Sequence, residues 1–176
     1  EGVRPMHKLR HTPGDPEEGL RAALESVAGP GPVYVLGLGY VDKADDGAGV
    51  LVAENLKKHF PEFSFSEHDG VEGTVLDISE RPGPATVFFV DAADLGAVPG
   101  TVDIVERADI KDTEISTHRV PVALMAAILE RTGKRICVVA MQPKTLEFRE
   151  PLSEEMAAAT EKVASAILEM MRTRTP

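Results

Sequence analysis

Carboxylates placed at the ends of apolar runs are the residues of this chain best suited to chemistry. Asp45 and Asp46 stand side by side in a glycine-rich stretch, Gly37-Leu38-Gly39-Tyr40-Val41-Asp42-Lys43-Ala44-Asp45-Asp46-Gly47-Ala48-Gly49, directly after the apolar run Val33-Tyr34-Val35-Leu36. Asp69 ends a second, alternating run, Asp91 follows Thr86-Val87-Phe88-Phe89-Val90 without a gap, and Thr117-His118 opens an apolar-periodic segment. Parallel strands share one carboxyl edge, where open α/β sheets bind their ligands. Asp46, Asp69 and Asp91 are therefore expected at that edge, and His118, at the start of a helix, can point to it. Two or three carboxylates with one imidazole form a mixed oxygen and nitrogen donor set that suits a divalent transition metal. The spacing alone does not select which metal.

Each candidate also has an ordinary structural use. Asp45 or Asp46 can cap the helix that follows, and because one cap is enough this reading fits Asp45 better than Asp46. Asp91 can close a turn with its own backbone, and His118 can cap a helix or sit satisfied in the core. His7 and His11 lie in the amino-terminal tail, His59 ends a helix and His68 ends an edge strand, so they are weaker candidates. Other catalytic patterns fail. Gly37-Leu38-Gly39 begins like a dinucleotide fingerprint, but Asp42 stands at the third glycine and adjacent carboxylates would repel a pyrophosphate. There is no Gly-x-Ser-x-Gly elbow and no His-Glu-x-x-His helix, and Cys137 falls mid-strand, where a thiol is inert packing.

The elements that must position these groups follow from periodicity. Asp15-Pro16-Glu17-Glu18 predicts a capped helix over about 16–28, closed by Gly29. Strands are expected at 33–38 and 63–68, the second a half-exposed edge in which Phe63 and Phe65 alternate with serines. Helices are expected over 46–59 and 71–80. The run 86–90 is apolar on both faces and so central. Only a short connection containing Pro99-Gly100 separates it from the strand 101–105, which must then run antiparallel at an edge, because a parallel return needs a longer crossover. A helix from Thr117 through Leu129, a buried strand at 136–140 and a last helix from Ser153 to about Met171 complete the chain, the last with a stripe of Met156, Ala159, Val163, Ile167 and Met170. The fold class is α/β: a three-layer α/β/α sandwich with a mostly parallel five-stranded sheet and one antiparallel edge strand.

Composition bounds the function. With 176 residues, 43% of them hydrophobic, one domain over 15–176 is expected, preceded by a flexible tail at 1–14. A formal net charge of -10 without a basic, aromatic-rich stripe argues against a nucleic-acid partner. One cysteine excludes an internal disulfide framework, and no apolar stretch is long enough to span a bilayer, so a cytoplasmic protein without membrane insertion is expected.

Five blocks in order carry a family resemblance: Gly37-x-Gly39 with Asp45-Asp46-Gly47-Ala48-Gly49; Asp69-Gly70; Val90-Asp91-Ala92-Ala93-Asp94-Leu95-Gly96 with Pro99-Gly100; Ser116-Thr117-His118; and Gln142-Pro143. From Val33 to the last helix the chain resembles the endopeptidases that mature the large subunit of nickel-iron hydrogenases, and most of all the branch serving formate-linked and other energy-converting hydrogenases. The resemblance implies a three-layer sandwich and removal of a C-terminal extension from the large-subunit precursor after nickel insertion. It also implies that the nickel, supplied by the substrate, is recognised through Asp46, Asp91 and His118, with other divalent cations able to take the site in isolation. Asp69, at the family's Asp-Gly turn, is implied to assist near the scissile bond. The metal then either activates the carbonyl or a water, or only positions the substrate while Asp69 or another carboxylate acts as base. The chain departs from the family at Tyr40 and Asp42-Lys43, where an asparagine and apolar residues are usual, and at Val71, where a small residue is common. A nonproteolytic metal-dependent binding module or chaperone on the same fold is the alternative.

Overall fold

The sheet is built around strands whose side chains are apolar on both faces. The computed structural model describes residues 16–112 and 122–174. Strand β1 (Val33–Gly37) and strand β3 (Ala85–Ala92) are buried at every position, and β5 (Lys134–Met141) at every position but Arg135. Five strands pair in the order β2-β1-β3-β5-β4, with β2 (Ser64–Ser66) parallel to β1 and only β4 (Val102–Glu106) antiparallel, against β5. The antiparallel edge strand expected from the short connection is present. Its neighbour, however, is β5, which inserts between β3 and β4 and pairs with β3 over eight residues.

Alternation along the strands sorts side chains into two cores. Val33, Val35, Phe88, Val90, Cys137 and Val139 face α1 (Pro16–Val27), α2 (Ala48–Lys57) and α5 (Glu154–Arg174). Tyr34, Leu36, Val87, Phe89, Ile136 and Val138 face α3 (Val71–Glu80) and α4 (Val122–Glu130). The expected α5 stripe is the buried one: Met156, Ala159, Val163, Ile167 and Met170 are each at most 3% exposed. Ser153 caps that helix, its hydroxyl accepting the Met156 N–H at 3.3 Å.

Two expectations change. The strand expected at 63–68 shortens to Ser64–Ser66 and turns at once into a 3-10 turn, Glu67–Asp69. Its serines are fully buried while Phe65 is half-buried, the reverse of a half-exposed edge, because α2 covers the serine face and Glu54 accepts the Ser66 hydroxyl. The helix expected from Asp46 begins instead at Ala48, after a 3-10 turn over Ala44–Gly47. The tail 1–14, the Asp15 cap and the first turn expected at Thr117-His118 lie outside the described residues.

Candidate active site

The strand order fixes where a site can form. After β1 the chain turns to β2 on one side, and after α3 it returns to β3 on the other, so the crevice beyond the carboxyl ends of β1 and β3 is the switch point of the sheet. Asp45 and Asp46 sit in the 3-10 turn that follows β1, and that turn packs against β3. Asp91 is the penultimate residue of β3, opposite Ala140 of β5. It is part of the strand rather than of a turn after it. Helix α2, which continues that turn, approaches β3 closely because position 49 carries no side chain: a Cβ there would lie 2.1 Å from the Val90 carbonyl oxygen and 2.5 Å from that of Leu38. The Leu38 N–H donates to the same Val90 carbonyl at 2.9 Å, carrying the ladder one residue past β1.

The adjacent carboxylates have different work. Asp45 is completely buried, and four donors converge on it. Its Oδ2 accepts the Lys144 N–H (2.8 Å), the Thr145 N–H (3.1 Å) and the Ser153 hydroxyl (2.9 Å), and its Oδ1 accepts the Ser153 N–H (2.7 Å). Its own N–H donates to the Thr145 carbonyl at 3.2 Å. Neither Asp45 nor Asp46 caps the helix that follows, since the turn Ala44–Gly47 and α2 both lack a side-chain cap hydrogen bond. Asp45 instead ties the turn after β1 to the loop between β5 and α5, and a charged acceptor with four donors is the arrangement in which a buried carboxylate is tolerated.

Asp46 is 6% exposed and accepts the Tyr40 N–H on Oδ2 at 3.0 Å. Gly39 makes this fold-back possible with φ of +125°, and a Cβ there would lie 1.8 Å from the Asp46 carbonyl oxygen. Asp91 is completely buried. Two carboxylates at such burial, on the two elements flanking the switch point, suit a cation, because burial disfavours negative charge. They supply oxygen donors of the kind a divalent metal takes. His118 lies outside the described residues, and among the described residues no group of three His, Cys, Asp or Glu side chains stands together as a metal site.

Asp69 is placed differently. Burial pushes its carboxyl up, but the Lys57 ammonium on Oδ1, the Ser66 N–H on Oδ2 at 2.9 Å and the charges of Lys57 and His68 outweigh that and hold it below the ordinary carboxylate value. With Ser66 it forms a capping box around the 3-10 turn after β2. Both oxygens thus have structural partners, one strand outward from the switch point. Glu67 of the same turn reaches the loop after β1, accepting the Gly39 N–H at 3.4 Å.

Gln142 had no role in the sequence beyond its place in a motif. Its Oε1 accepts the N–H groups of Leu95 (2.6 Å) and Ala97 (3.3 Å), its amide donates to the Pro143 carbonyl (3.2 Å), and its backbone pairs with Gly100 and Thr101. It holds the loop that leaves β3 just beyond Asp91.

The comparisons with known proteins agree with this fold. Residues 50–170 match the family model described as hydrogenase maturation protease, which spans more than half of the chain. The chain belongs to the hydrogenase maturation protease family. It is similar to the hydrogenase 3 maturation protease of Escherichia coli K12, 29% identical over 123 residues, covering 68% of this chain and 78% of that one. A solved maturation protease structure from Thermococcus kodakarensis superposes with a TM-score of 0.73 at 31% identity, covering 85% of this chain and 99% of the other. The solution structure of an Escherichia coli endopeptidase gives 0.64 at 27% identity, covering 78% and 90%. This maturation protease is therefore a peptidase, a hydrolase acting on polypeptide. Among its described residues no helix is long and apolar enough to cross a membrane.

Proposed function

We propose that this maturation protease removes the C-terminal extension of a nickel-iron hydrogenase large-subunit precursor, in the cytoplasm, after nickel has been inserted, and that the nickel arrives with the substrate. The observation that supports this reading is the placement of the carboxylates at the switch point: Asp45 is held by four hydrogen bonds to the loop before α5, whereas Asp46 lies in the turn after β1 and Asp91 near the carboxyl end of β3, the two strands that flank the crevice. Asp46, Asp91 and His118 would hold the metal. A divalent ion bound there supplies charge that polarises a carbonyl or lowers the pKa of a water. The chain's own contribution is to fix the two carboxylates: the Tyr40 N–H holds one oxygen of Asp46, and the strand backbone fixes Asp91.

Asp69 is proposed to act at the substrate peptide rather than at the metal. Its lowered pKa makes it a weak base, which favours placing the peptide over taking a proton. Hydrolysis adds water across one peptide bond, giving a new carboxylate on the mature subunit and a new amine on the released extension.

Incubation of the purified protein with nickel-loaded precursor, followed by intact mass, tests the reading. The precursor is expected to shorten at its C-terminus, and nickel-free precursor to stay uncut. Asp91→Asn and His118→Ala are expected to abolish cutting. Normal cutting by either variant removes that residue from the site.

A further inference from the structure

Large apolar side chains are exposed on two loops that meet at the site. Tyr40 is 46% and Val41 44% exposed on the loop after β1, and Leu146 is 49% and Phe148 62% exposed on the loop between β5 and α5. The loops are laced together. The Arg149 N–H donates to the Asp42 carbonyl at 2.7 Å, the Asp45 N–H to the Thr145 carbonyl, and the Asp45 carboxylate takes Lys144, Thr145 and Ser153. Tyr40 and Val41 therefore stand within two residues of a backbone contact that is itself one residue from Phe148. The buried carboxylate and five backbone N–H groups that tether these loops stabilise the fold, and they also favour binding, because side chains fixed before association lose less entropy on contact.

We infer that Tyr40, Val41, Leu146 and Phe148 form one preorganised apolar face that seats the substrate polypeptide through apolar side chains beside the bond that is cut. This rests on the function proposed above and adds where the protein partner is gripped. The occupant follows from continuity with the site: the backbone N–H of Tyr40 holds the Asp46 carboxylate, so the face begins at a residue bonded to a proposed metal ligand. A peptidase must bring polypeptide to that point, and exposed clusters with Tyr and Phe mark binding surfaces.

The test is Leu146→Ser with Phe148→Ser, and Tyr40→Ser separately, against Leu76→Ser with Leu124→Ser as a control on exposed positions of α3 and α4. The probe is purified, nickel-loaded precursor, with its binding to immobilised protein and its cleavage both measured. Leu146→Ser with Phe148→Ser is expected to weaken binding and raise KM about tenfold or more, with kcat within about twofold, Tyr40→Ser is expected to weaken binding, and the control changes none of these. Unchanged binding in the loop variants overturns the inference. So does a dimer of the unaltered chain in sedimentation that dissociates on Phe148→Ser, which would assign the face to a second copy of this chain. Because binding is read apart from cutting, an unaltered chain that binds precursor without cutting it refutes the proposed function, and the binding ratio still decides the surface.

Discussion

Replacing Asp45 by asparagine separates the two adjacent carboxylates. Three donors point at Oδ2 and one at Oδ1, and all are nitrogen or hydroxyl hydrogens. An amide offers one oxygen. With that oxygen at the Oδ2 position, the Lys144, Thr145 and Ser153 hydroxyl contacts persist without charge assistance, and the amide NH2 confronts the Ser153 N–H at 2.7 Å. The alternative flip sets the NH2 against three donors and is worse. Hydrogen bonds to a charged group contribute about 1.5–3 kcal/mol against about 1 for neutral ones, and a buried donor left unmade costs about 1–3 kcal/mol. The three weakened contacts and one lost one, shared within a single network, sum to about 3 kcal/mol or somewhat more. For a chain of this length that lowers Tm by about 6–12 °C. Asp46→Asn keeps an oxygen for the Tyr40 N–H and is expected to cost less than about 1 kcal/mol. Thermal and urea unfolding of both variants decide the matter. Equal stability losses in the two, or a loss below about 1 kcal/mol for Asp45→Asn, would refute the assignment of Asp45 as the tether and Asp46 as the available carboxylate.

Three further outcomes are expected. Gly49→Ala forces a methyl to within 2.1 Å of the Val90 carbonyl oxygen, so it is expected to lose about 2 kcal/mol or more in urea unfolding, with α2 displaced from the sheet. Burial pushes the Cys137 thiol up to about 11, so at pH 8 the folded protein is expected to resist iodoacetamide for hours and to be alkylated at once in denaturant. The Lys57–Asp69 pair sets a pH window. Asp69, lowered in the folded state, adds stability above its ordinary value of 3.8 that is lost as pH falls through its folded value, while Lys57, raised mainly by its hydrogen bond to Asp69, adds stability below 10.5 that is lost as pH rises through its own. Lys57→Met is expected to move the Asp69 titration upward by NMR, and if Asp69 meets the peptide the acid limb of the pH–rate profile moves with it. A fixed limb with a moved titration would confine Asp69 to capping its turn.

Local patterns account for most of what was legible. Helix α3 spans the expected 71–80, the α5 stripe is buried as its spacing required, and β3, apolar on both faces, lies between β1 and β5. The serine face of β2 is buried against the expectation, because alternation gives two faces but does not say which neighbour covers each. Here α2 lies over the serines, and Glu54 satisfies Ser66. Gln142 was visible only as part of a motif, since the N–H groups it serves are 45 and 47 residues away along the chain.

The sequence by itself determined the elements, the antiparallel edge and the delivery of Asp46, Asp69 and Asp91 to the ends of strands, because apolar period and glycine placement are local. Only the tertiary structure decided what each carboxylate does there. Asp45 and Asp46 are chemically identical neighbours in the chain, and the partners that distinguish them lie 99–108 residues away for Asp45 and six residues away for Asp46. A carboxylate's role is set by the donors that meet it, and donors from the far end of the chain arrive only when α5 packs beside α2.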